Sequence, residues 1–129
     1  MRTPVPPVVE SPQSFTILDW IGALVTGGSV FGLVGFPLVG STYVGMYEDF
    51  GASASLPLLT RLVISGWFPP LLAATAAAPL ALGLRPSRPL AQRRLWVVGA
   101  FLLGWGALGL CVVGLYLPIF ALAGAVGAE

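Results

Sequence analysis

MYEDFGASASLPLLTR, residues 46–61, is the longest polar break in an otherwise apolar chain of 129 residues. It holds two of the five acids, Glu48 and Asp49, together with a turn glycine at Gly51, a proline at Pro57 and the base Arg61. Gly51 has no Cβ and can take the left-handed backbone that ends a helical turn. Pro57 suits the first turn of a helix, where its missing N–H has no partner to lose. The stretch therefore reads as a loop with one apolar run before it and two after it. The expected fold is an all-α integral membrane protein. It forms a single domain over residues 1–129, with three transmembrane helices near 17–44, 62–84 and 95–120. A short outer loop and a short arginine-rich inner loop join them.

Composition supports the class. Charged residues make up 9% of the chain and hydrophobic ones 57%, and the mean hydropathy is +0.93. Soluble domains carry about 25% charged residues, so a water-facing surface cannot be built from this set. About 20 residues cross a bilayer as a helix, and the length allows three such crossings. A net charge of +1 with no basic aromatic patch argues against a nucleic-acid partner.

The missing residue types exclude much chemistry. The chain has no His and no Lys. That removes imidazole ligation of metal or haem, the Ser-His and Cys-His nucleophile pairs, and a Schiff-base lysine. The single cysteine, Cys111, lies in an apolar run and reads as a small packing residue. No enzyme, cofactor or metal site is expected.

Residues 1–14 carry Pro4, Pro6, Pro7 and Pro12 and should be extended. They make a poor signal peptide, with one base, the acid Glu10 before the apolar run, and a run too long for one. In the first span Asp19 and Trp20 mark the beginning, Ser14 or Thr16 could cap it, and Tyr43 and Tyr47 mark the end. Gly28, Gly32 and Gly35, spaced i, i+4, i+7 beside Ser29, form a strip that admits another backbone. Packing within the chain is the commoner use of such a strip. Contact with another subunit is the alternative. Pro37 should kink the helix.

After the first span, residues 46–50 should make a separate helical turn at the membrane surface, with Tyr47 and Phe50 toward lipid and Glu48 and Asp49 toward water. Arg61 could pair with either acid. In the second span Pro69 and Pro70 should bend the helix or begin it afresh, and residues 73–78 are almost all small. Pro79 marks a bend near its end. Arg85, Arg88, Arg93 and Arg94 put four of the six basic residues into ten positions without an acid. By the positive-inside rule that loop is cytoplasmic, with the N-terminus inside and the C-terminus outside. Topology and anionic lipid headgroups account for the cluster.

The third span has Trp96 at one interface and Tyr116 at the other. Ala100, Gly104, Ala107, Cys111 and Gly114 recur at steps of four, three, four and three, a small-residue heptad seam suited to left-handed helix packing. Leu103, Leu110 and Leu117 form a different stripe, expected to lean toward lipid. Pro118 should bend the last turn.

The segment Met46-Tyr47-Glu48-Asp49-Phe50-Gly51, followed by Leu56-Pro57 and Thr60-Arg61, resembles the one after the first membrane helix of the type II secretion F and type IV pilus platform proteins. The segment from Tyr116 to Phe120 is similar to that family's closing segment. The resemblance implies a membrane hairpin of a secretion platform. The family's large cytoplasmic helical domains have no counterpart, because residues 85–94 alone separate the second and third spans. The expected location is the bacterial cytoplasmic membrane. The leading expectation for function is a non-catalytic subunit or assembly factor of a larger membrane complex, with lipid and other membrane subunits as partners. A reduced relative of the secretion platform and a small oligomeric transporter or channel are the alternatives. A channel usually needs an ionisable residue within the membrane, and here the charges fall at span ends or in loops.

Overall fold

A computed structural model describes residues 14–51 and 56–126, so residues 1–13 of the proline-rich stretch and residues 52–55 of the loop lie outside the described residues. Everything regular in it is helical. The elements are α1 (Ile17–Asp49), α2 (Leu58–Ile64), α3 (Phe68–Gly83) and α4 (Leu90–Val126). Helices α1 and α4 are long and apolar enough to cross a membrane. Helices α2 and α3 qualify only as a pair, bent by 76° at their junction. The chain thus has two candidate spans, or up to three if the bent pair is one.

Each boundary follows from local chemistry. The backbone N–H of Thr16 donates to Asp19 Oδ2 at 3.0 Å, which satisfies one of the donors that a helix start leaves open. α1 runs unbroken through Pro37 to Asp49, so residues 46–49 continue the first helix and do not form a separate surface turn. No glycine or proline interrupts the chain after Gly45 until Gly51, and nothing there forces a break. Gly51 has φ +66°, the left-handed conformation that stops the helix.

The second apolar run differs from a single helix. Pro57 directly precedes α2, which lasts only to Ile64. The chain breaks at residues 65–67 and begins again with Pro69 and Pro70 in the first turn of α3. Two adjacent residues without N–H groups are tolerated at a helix start and costly inside one. α4 begins at Leu90, earlier than the apolar run alone suggests, so Arg93 and Arg94 are helical and the loop is confined to residues 84–89.

The contacts give the arrangement. Asp19 near the start of α1 meets Arg93 near the start of α4, and Tyr47 near the end of α1 meets Leu115 toward the end of α4. The two long helices therefore run parallel. Gly83, which closes α3, lies against Arg93, Trp96 and Val97 of α4, so α3 runs the other way. α2 covers the far half of α4 through Leu59, Thr60 and Val63. The core is made of Leu33 and Phe36 from α1, Val63 from α2, Ala73 from α3, and Cys111 and Leu115 from α4.

Candidate functional site

Where α1 and α3 both come close to α4, at Gly104, α4 contributes no side chain. A Cβ on Gly104 of α4 would overlap Ser29 Oγ of α1 and would stand 3.5 Å from Ala76 Cβ of α3. A Cβ on Gly114 would stand 2.8 Å from Val63 Cγ2 and 3.3 Å from Leu59 Cγ of α2. With Ala100 and Cys111 also buried and Ala107 half-buried, this face of α4 lies against protein over its length. Leu103 and Leu110 are exposed, while Leu117 is half-buried. Small residues permit the close approach from which helices in lipid gain dispersion contacts.

The glycines of α1 are placed differently. Gly32 packs on Leu108, 3.5 Å from its Cδ1, but Gly28 and Gly35 have open space where a Cβ would be. Gly28 is exposed and lies in a shallow outward groove with Trp20, Ala23, Leu24, Gly27 and Phe31. The strip is thus divided. Packing inside the bundle uses Gly32 and leaves the surface around Gly28 uncovered.

Two polar clusters hold the ends of the bundle. At the basic end Arg93 Nη2 lies 3.3 Å from Asp19 Oδ2, with both side chains almost fully buried. The Arg93 guanidinium also stands over the Phe15 ring, 4.1 Å from its centroid. Arg93 therefore leaves the loop cluster in which the sequence reading placed it. The reason is geometric: the parallel helices bring the first turns of α1 and α4 side by side, and a buried charge must be paired. Arg85 and Arg94 remain exposed, and Arg88 stacks on Trp96 at 5.5 Å.

At the other end Pro118 sets the chemistry. It has no N–H, so the Gly114 carbonyl four residues earlier has no helical donor. Thr60 Oγ1 of α2 donates to that carbonyl at 2.8 Å. Tyr47 of α1 donates its hydroxyl to the next carbonyl, that of Leu115. Tyr47 is therefore buried and does not face lipid as an interfacial aromatic, whereas Phe50 is exposed. Tyr43 lies edge-on to Tyr116 with ring centroids 6.3 Å apart. Arg61 is exposed on α2.

Sequence reasoning missed the Asp19–Arg93 pair and the Tyr47–Thr60 clamp. A signal for the first was available in the expected three spans, since two crossings between them would put the starts of the first and third on one side. The proline offered a signal for the second, because it names the carbonyl that needs a donor. Among the described residues no group of three His, Cys, Asp or Glu could hold a metal ion. No known protein family, curated protein or solved structure matches the chain.

Proposed function

We propose that this chain is a non-catalytic membrane subunit or assembly factor that receives a membrane helix of another protein on α1. The observation that carries the reading is the groove around Gly28. It has a glycine and alanine floor and walls of Trp20, Leu24 and Phe31, all from α1, and open space where a Cβ on Gly27 or Gly28 would stand. In lipid, leucine gains little by moving onto protein, whereas a small-residue groove lets a second backbone come close. The seam on α4 is already occupied by α1, α2 and α3. The small-residue surface on α1 is left for a partner.

Three crossings underlie this proposal. Parallel α1 and α4 need the chain returned to its starting side between them, and α2 with α3 is the segment that returns it. The pair begins against Gly114 and ends against Arg93. Those positions stand about 32 Å apart along α4 at 1.5 Å per residue, close to the thickness of a bilayer core. The arginines at one end give the orientation, with that end in the cytoplasm.

The test is the native mass of the tagged chain after mild solubilisation. A large hetero-complex that shrinks to the free chain on Gly28→Leu is the expected result. A homo-oligomer would favour the channel alternative, and a secretion assembly the platform alternative. A free chain whose mass is the same with and without Gly28→Leu would remove the proposal.

A further inference from the structure

At the basic end a groove of about 260 Å³ runs between α1 and α4, lined by Leu18, Asp19, Gly22, Arg94, Val97 and Val98. Its walls are apolar and its mouth is ionic. Asp19 adds no net negative charge there, because its carboxylate is paired with Arg93 and accepts the Thr16 N–H. Among the described residues the other acids, Glu48 and Asp49, lie at the far end of α1. Arg94 is exposed at the mouth, one residue from the buried pair and one turn before Val97 and Val98. Leu18 and Val98, which line the groove with it, present exposed apolar surface.

We propose that this groove binds one anionic phospholipid, with its phosphate on Arg94 and one acyl chain along Leu18, Val97 and Val98. Charge and shape both select that ligand. A guanidinium offers forked donors to a phosphate diester, and an apolar slot beneath it fits a chain that a free phosphate lacks. Gly22 contributes by letting the helices close behind the slot, since a Cβ there would stand 2.8 Å from Val97 Cγ1. The Asp19–Arg93 pair gives the site its selectivity. Among the described residues it neutralises the one carboxylate at this end that would repel the phosphate, and it leaves Arg94 facing outward. The inference needs the chain to lie in a membrane but does not depend on a partner subunit.

Native mass spectrometry of the full chain in detergent, with equal phosphatidylglycerol and phosphatidylcholine added, tests it. The expected result is a one-lipid adduct that favours phosphatidylglycerol. Arg94→Gln should lower that preference about fivefold, the worth of one arginine against anionic lipid. Leu18→Trp, which fills the slot without changing charge, should lower adduct formation with both lipids. Arg85→Gln, outside the groove, should leave the adduct unchanged. Equal adducts with the two lipids would overturn the proposal, as would an Arg85→Gln loss equal to that of Arg94→Gln. An adduct with short-chain or free phosphate as strong as with lipid would overturn the acyl-chain half of it.

Discussion

Replacing Arg93 with methionine should be the most damaging conservative-sized change in the molecule. Its guanidinium lies 3.3 Å from Asp19 Oδ2, and the two side chains are 1% and 4% exposed. At that distance and an effective dielectric of 20 the attraction is about 5 kcal/mol, and desolvation offsets most of it. The pair as a whole therefore adds little. Removing one member is different, because it strands the other charge away from water at a cost of about 3–5 kcal/mol. Methionine fills the aliphatic space but leaves the Asp19 carboxylate alone with the Thr16 N–H. Asp19→Asn takes one counter-charge from the guanidinium while keeping an oxygen for Thr16. Combining the two removes both charges, so the double variant should be more stable than Arg93→Met, with a coupling energy of about 2 kcal/mol or more. Equilibrium unfolding in mixed micelles by SDS titration gives the four stabilities of the cycle. The reasoning fails if Arg93→Met costs less than about 1 kcal/mol, the range of an exposed pair, or if the single effects simply add.

Three further outcomes are expected. Gly104→Leu should destabilise the bundle by at least the ~1–3 kcal/mol of an overpacked core, because its Cβ alone already overlaps Ser29 Oγ; Leu103→Ala, exposed, should change the same SDS midpoint little. Thr60→Val and Tyr47→Phe should each cost about 0.6–2 kcal/mol by removing a donor from a carbonyl in the turn before Pro118, and Pro118→Ala should relieve the Thr60 variant by restoring an N–H to Gly114; no such relief in the double variant would show that the proline is not what orphans the carbonyl. Gly51→Val should lower the amount of folded protein, since φ +66° is strained for a β-branched residue, while Glu48→Gln at an exposed position should not.

The helical class could be read from composition and the length of the apolar runs, because hydrophobicity over 20 residues is a summed property that no single contact overrides. Of the spaced row on α4, Ala100, Gly104, Cys111 and Gly114 are buried and Ala107 is half-buried. A heptad of small residues has one face wherever the helix lies. The strip on α1 shows the limit of that logic. Gly28 and Gly32 look alike in sequence, yet Leu108 reaches only one of them, and which one depends on how far α1 slides along α4. The break at residues 65–67 was half visible in Pro69 and Pro70, but the size of the bend depends on where α2 docks. Tyr47 misled for a similar reason. A tyrosine near a span end is usually an interfacial anchor, and only the docking of α1 along α4 brings the Leu115 carbonyl within reach of its hydroxyl.

The elbow between α2 and α3 has a consequence for the order of biogenesis. Seven residues of helix cannot partition into a bilayer by themselves, and α2 owes its place to Gly114, which is 54 residues downstream of Thr60. In a chain threaded into lipid as it is made, α2 waits about 3–10 s at 5–20 residues per second for that carbonyl to appear. Until then α2 has only part of its support: Val63 and Ile64 can lie against Gly40 of α1, but the face that α4 covers is bare. A ribosome stalled just before residue 114 should therefore leave α2 open to protease from the aqueous side, and one stalled past Pro118 and clear of the exit tunnel should not.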